Sequence, residues 1–117
     1  MKHKLPEELA KWYDEEYCLE AVKQSGGALQ YVRNQTPEIC LAAVKQDGES
    51  LNYVREQTPE ICLEAIKQHK SFLQYVRVQT LEIILAVLEQ DKDATELIDW
   101  DVLTEEEFEY IKLRYLM

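Results

Sequence analysis

Three consecutive stretches of this chain lie over one another without a gap. They are Tyr17–Glu38 (YCLEAVKQSGGALQYVRNQTPE), Ile39–Glu60 (ICLAAVKQDGESLNYVREQTPE) and Ile61–Glu82 (ICLEAIKQHKSFLQYVRVQTLE), at a period of 22 residues. A fixed period of this length marks a repeat architecture, in which each unit buries its apolar face only by stacking on the next. A degraded fourth copy begins at Ile83 (IILAVLEQDKDATELIDWDV), and Leu9-Ala10 stands where Tyr31-Val32 would be, half a copy ahead of the first.

Each unit reads as two short helices. Thr36, Thr58 and Thr80 are N-caps, whose hydroxyl accepts from an otherwise unpaired first-turn N–H. Pro37 and Pro59 follow at the first helical position, where a missing N–H costs nothing. Glu38, Glu60 and Glu82 then lie in the first turn, where the helix dipole favours an anion. In the first copy Asp14 takes the cap role, followed by Glu15 and Glu16. Ile39, Cys40, Leu41, Ala43 and Val44 fill about half of the helical wheel, the signature of a core-facing helix. Asp47-Gly48 signals its end. A second helix carries Leu51 and Val54 on one face with Tyr53 nearby. Helices this short are unstable alone and persist by stacking. The leucine-rich alternative has a similar period, but its alternating strand pattern is absent.

The expected fold is all-α: a short α-solenoid of about four 22-residue two-helix repeats with a C-terminal capping helix. We read one domain over residues 1–117, with an N-terminal cap (1–16), repeats 17–38, 39–60 and 61–82, a degenerate repeat 83–102 and a capping helix 103–117. The recurring LxAVKQxGxxLxYVRxQTPEIC resembles a helical repeat family catalogued as domain of unknown function 4116, seen in bacterial, phage and giant-virus proteins. The matching columns are Ala21-Val22-Lys23-Gln24, Gly26, Leu29 and Tyr31-Val32 with their equivalents in the next two copies, over roughly residues 14–98. The third copy departs from it with His69-Lys70 in place of a Gly turn. The resemblance implies the helical-repeat fold and transfers no site, since that family has no established activity.

The formal net charge is -10. A field of that sign disfavours nucleic acid and anionic membranes and favours cationic partners. Solubility is the blander explanation of the same acidity. The basic start Met1-Lys2-His3-Lys4 is not followed by an apolar segment, so no secretory signal is expected. The longest apolar run, Ile83–Leu88, is too short to span a bilayer. A cytoplasmic protein with reduced thiols is the simplest expectation.

Cys18, Cys40 and Cys62 share a repeat column that ends in Ile84. A column that accepts isoleucine is an apolar core column, and free cysteine is commonly buried. Stacked helices lie roughly 8–10 Å apart, whereas disulfide-bonded Cα atoms lie within about 7 Å, so these cysteines should not pair. No second ligand stands at zinc spacing.

Two further columns bear charge. Lys23, Lys45 and Lys67 recur, as do Arg33, Arg55 and Arg77, and with Gln35, Gln57 and Gln79 they imitate a one-base-per-repeat RNA reader. In the fourth copy Lys67 becomes Glu89, Arg77 becomes Asp99 and Gln79 becomes Asp101, and the Tyr31, Tyr53, Tyr75 column becomes Leu97. The tyrosines are therefore read as half-buried packing. Residues 21–90 hold seven basic and eight acidic side chains, so this face is near neutral.

The acidic excess sits at the ends, six acids against three bases in residues 1–20 and nine against three in 91–117. Thr104 and Glu107 form a capping box that opens a last helix with Phe108, Ile111 and Tyr115 or Leu116 on its apolar face. A polar cap is one role for this end. Asp91, Asp93, Glu96, Asp99, Asp101 and Glu105, Glu106 and Glu107, with Trp100 among them, also form a candidate protein-binding patch: carboxylates around an aromatic anchor. Asp91, Asp93, Thr95 and Asp99 imitate a calcium loop, but Glu96 stands where its glycine should be and Val102 where its bidentate acid should be.

No catalytic constellation, cofactor motif or metal pair emerges, so the chain is expected not to be an enzyme. The expected function is protein binding, as an acidic inhibitor of a basic nucleic-acid-handling protein of the toxin-immunity or phage anti-defence type. An RNA or single-strand binder using the Arg, Lys and Gln columns is the alternative, as is a structural or oligomerisation scaffold.

Overall fold

The computed structural model describes residues 6–117, so His3 and the rest of the basic N-terminal stretch lie outside the described residues. The α-helices are α1 (Glu7–Ala10), α2 (Glu15–Gln24), α3 (Pro37–Gln46), α4 (Pro59–Gln68), α5 (Leu81–Gln90) and α6 (Glu105–Ile111). Helices α2 to α5 each pack on the next in chain order. The result is an elongated all-α stack, 61 × 31 × 19 Å.

The caps behave as read. The hydroxyls of Thr36, Thr58 and Thr80 accept from the N–H of Ile39, Ile61 and Ile83 at 3.2, 3.3 and 3.4 Å. Asp14 accepts from Tyr17 at 2.8 Å. Each such cap is worth about 1 kcal/mol. Thr104 and Glu107 complete the capping box of α6 at 3.1 and 2.8 Å.

The second helix of each repeat is a 3₁₀ helix rather than a short α-helix: Gly26–Tyr31, Gly48–Tyr53 and Lys70–Tyr75, six residues each. The reason is a spacing of three. Gly26, Leu29 and Val32 are buried, as are Gly48, Leu51 and Val54. At 3.0 residues per turn, positions i, i+3 and i+6 eclipse one another and form one continuous face. An α-helix would rotate the third of them away from the core.

The glycines also work differently from the helix-ending role expected of them. Among the described residues no glycine has positive φ. Helix α3 ends because Asp47 is extended (φ −153°, ψ 112°), and its carboxylate accepts from the N–H of Glu49 at 3.0 Å. Glycine is needed at position 48 for close approach. A Cβ there would lie 2.6 Å from the Phe72 ring and 2.9 Å from Gln68 Oε1. One on Gly26 would lie 2.4 Å from Ser50 Oγ and 2.5 Å from the carbonyl of Ala43. The third copy carries Lys70 at this position, and 24 residues further on, where Ser50 and Phe72 stand relative to the two glycines, the fourth copy has Ala94.

The core is one continuous cluster running the length of the stack. It includes Val22, Leu29, Val44, Leu51, Ile66, Leu73, Ile84 and Leu88. Each such side chain contributes about 1.5–3 kcal/mol when fully buried. In the last helix Ile111 is fully buried and Tyr115 packs against the cluster, while Phe108 and Leu116 stay more than a third exposed.

Candidate functional site

The polar columns singled out by the repeat connect one unit to the next. Gln35 bridges forward: its Oε1 accepts from the N–H of Arg55 at 3.0 Å and its Nε2 donates to the carbonyl of Tyr53 at 2.8 Å. Gln57 does the same with Arg77 and Tyr75, at 3.0 and 2.8 Å. Gln79 repeats it with Asp99 and Leu97, at 2.8 and 3.0 Å. A second amide column bridges backward. Gln46 and Gln68 accept from the N–H of Gly26 and Gly48 at 2.6 and 2.7 Å. Gln68 and Gln90 donate to the carbonyls of Val44 and Ile66. Each bond of this kind contributes about 0.5–1.5 kcal/mol and closes a backbone group left open by a short helix.

The arginines also turn back onto the scaffold. Arg55 donates to the carbonyls of Arg33 and Val32 at 3.0 and 2.6 Å, and Arg77 donates to that of Val54. Lys23 pairs with Glu20 at 3.5 Å, exposed on both sides, and Lys67 with a half-buried Glu64 at 3.8 Å; surface pairs of this kind are worth little. Lys45 has no ion-pair partner among the described residues, and Arg33 is exposed. The alternative ligand face is thus no uniform row of cations, and its glutamines are committed to backbone. The tyrosines are more open than a packing role predicts: Tyr31 is 53% and Tyr53 37% exposed. Only Tyr75 is half-buried, stacked on Phe72 at 6.3 Å with its hydroxyl donating to Glu49 at 3.3 Å. Burial first, and then Glu49, push the Tyr75 phenol up.

At the acidic end the sign reversals have local causes. Glu89 receives the Tyr115 hydroxyl and lies 4.0 Å from Arg114, so it holds the C-terminal segment against α5. Asp91 pairs with Lys70 at 2.7 Å and accepts from the N–H of Asp93 at 2.9 Å, and these bonds hold its carboxyl below the usual range. Asp99 accepts from Asp101 N–H at 3.2 Å and Glu107 belongs to the capping box. Trp100, read as the aromatic anchor of this patch, is half-buried. Its Nε1 donates to the carbonyl of Thr95 at 3.2 Å and its ring meets Phe108 edge-on at 5.7 Å. What remains free is a set of exposed carboxylates, Asp93, Glu96, Asp99, Asp101, Glu105 and Glu106, without ion-pair partners among the described residues. Of these only Glu105 lines the shallow groove of about 390 Å³ between Trp100, Leu103, Thr104, Phe108 and Glu109, and Asp93 lies at another, with Lys92 and Tyr115. Among the described residues no three His, Cys, Asp or Glu side chains converge as metal ligands.

Two further grooves, which sequence reasoning missed, open between successive loops. One of about 160 Å³ is lined by Gln35, Thr36, Pro37, Cys40, Arg55, Glu56 and Thr58. The next, about 340 Å³, is lined by Arg55, Gln57, Thr58, Pro59, Cys62, Arg77, Val78, Thr80 and Ile83. The legible signal for them was the variable column Asn34, Glu56, Val78, set between a constant Arg and a constant Gln-Thr in the first three copies.

The cysteines are free and buried, as their column implied. Their thiols also donate: Cys18 to the carbonyl of Trp12 and Cys40 to Gln35 Oε1, each at 3.4 Å. Burial pushes all three thiols above their ordinary value. Asp14 adds to this at Cys18, while Arg55 and Arg77 oppose it at Cys40 and Cys62.

Stacked α/3₁₀ units joined by amide and guanidinium bridges, with a capping helix at the C-terminal end, define a helical-repeat protein. The chain belongs to the family described as Domain of unknown function (DUF4116), whose sequence pattern matches twice, over residues 14–58 and 36–81. No curated protein and no solved structure matches it. Among the described residues no helix is long and apolar enough to cross a membrane.

Proposed function

We propose that this protein is a non-enzymatic, cytoplasmic helical-repeat module that acts by binding another protein. Its partner is basic, and the favoured version is an inhibitor that covers the cationic cleft of a nucleic-acid-handling protein, as a toxin-immunity or phage anti-defence protein would. The observation that carries this reading is the set of six exposed carboxylates between Asp93 and Glu106, without ion-pair partners among the described residues, on a chain of net charge -10. An excess of charge of one sign speeds encounter with an oppositely charged surface and rejects partners of the same sign. The nucleic-acid alternative has less support, because the Gln column it needs is bonded to backbone on both its amide oxygen and nitrogen, and the net charge opposes a polyanion.

The test is a pull-down with the immobilised protein under a salt titration. A basic partner should be retained at low salt, released as salt rises, and lost when Asp93, Glu96, Asp101 and Glu105 are replaced by Asn or Gln. Retention that ignores both salt and these substitutions would refute the electrostatic reading.

A further inference from the structure

The two edge grooves are one structural feature built twice, and they differ in charge. The first is lined by both Arg55 and Glu56. In the second, Arg55 and Arg77 are both present, no carboxylate lines the walls, and Val78 stands where Glu56 stood. Val78 is 72% exposed, more than any other large apolar side chain described except Met117. Neither arginine has an ion-pair partner among the described residues, although the chain carries 23 acids against 13 bases. The Arg77 guanidinium is held beside this groove by the carbonyl of Val54, which fixes its orientation and leaves its charge uncompensated, whereas that of Arg55 turns to the carbonyls of Val32 and Arg33 in the preceding loop.

We propose that the groove between the Arg55 and Arg77 loops docks an acidic peptide segment of a protein partner, its carboxylate on the Arg77 guanidinium and a neighbouring apolar side chain on Pro59 and Val78. A guanidinium matches a carboxylate as a charge-assisted donor pair. The apolar part of the groove, Pro59 and Val78 above Cys62 and Ile83, has no counterpart in a phosphate backbone. A nucleic acid would also bring a row of phosphates against a strongly acidic chain, whereas a short segment brings one or two carboxylates. This surface is distinct from the carboxylates between Asp93 and Glu106, and it stands whether or not those bind a basic protein.

The probe is a fluorescein-labelled Glu-Glu-Leu-Glu-Glu-Leu peptide, read by anisotropy and by amide shifts of the labelled protein. Shifts centred on Val78, Ile83 and Cys62 are expected, with little change at Ile39 and Cys40. Val78→Glu should weaken binding at least about tenfold, since it places a like charge in the groove. That side chain is exposed, and Glu56 already occupies the column in the preceding repeat, so an unchanged thermal melt is expected. Arg77→Gln should weaken binding as well. Absence of peptide binding, binding indifferent to Val78→Glu, or an oligouridylate that shifts the same amides while the peptide does not, would each overturn the proposal.

Discussion

The cysteines show how a repeat column is read at the scale of a single residue. Cys18, Cys40 and Cys62 lie at 1–4% exposure, and burial raises each thiol's pKa. Below the range where a free cysteine ionises, about 8.5, the thiols are protonated in both folded and unfolded chains, and their contribution to stability is fully present. As pH rises, the unfolded chain loses its protons first, so stability falls. Urea unfolding followed from about pH 7.5 to about pH 9.5 should show that decline. It should be reduced when Cys40 and Cys62 are both replaced by alanine. Native protein should also react with an aromatic disulfide reagent at least about tenfold more slowly than urea-unfolded protein. Rapid reaction of all three native thiols would contradict the buried assignment.

At the scale of the element, the unit is an α-helix followed by a 3₁₀ helix, and the join between units depends on the absence of a Cβ. Gly48 admits the Phe72 ring of the next unit, and Gly26 admits Ser50. Gly48→Ala forces that ring or the Gln68 amide to move, and overpacking of this kind costs about 1–3 kcal/mol. Phe72→Ala alone leaves a partly filled space and destabilises through lost burial. Combined, the two changes should cost less than their sum, because the new methyl enters the space that the ring vacates. A double-mutant cycle measured by chemical denaturation gives this coupling, and simple additivity would mean that the ring does not limit the approach.

For the whole molecule, the question is how a stack of nearly identical units is made to end. The C-terminal solution replaces the recurring lysine by Glu89, which accepts from the Tyr115 hydroxyl and lies near Arg114. A five-residue π-helical turn, Lys112–Leu116, carries both groups back to α5. At the N-terminal end Trp12 closes the stack, edge-on to Tyr17 at 5.4 Å and tilted on Tyr31 at 5.3 Å. Trp100 stands in the same repeat column at the other end, packed on Phe108. Glu89→Lys restores the repeat consensus and removes the latch. Hydrogen exchange should then quicken across residues 105–116 while α2 to α4 keep their protection. Uniform loss of protection would show that the cap is cooperative with the entire stack.

Much of this was written in the chain. The period, the Thr-Pro-Glu starts, the core column of cysteines and the Thr104–Glu107 box follow from rules that act within a few residues, and so does the helical-repeat class. The 3₁₀ form of the second helix was legible too, in the spacing of Gly48, Leu51 and Val54, but an expectation of α-helix hid it. Tertiary structure alone decided where the polar columns point. Gln57, Arg77 and Glu89 have the composition of a ligand face, yet their partners lie 18 to 26 residues away along the chain. Stacking brings the carbonyls and N–H groups of one unit within reach of the side chains of the next, and a buried or half-buried backbone group takes such a partner in preference to leaving it to solvent. The groove at Val78 emerged the same way, from Arg77 turned back onto the carbonyl of Val54 and a carboxylate that the third copy lacks.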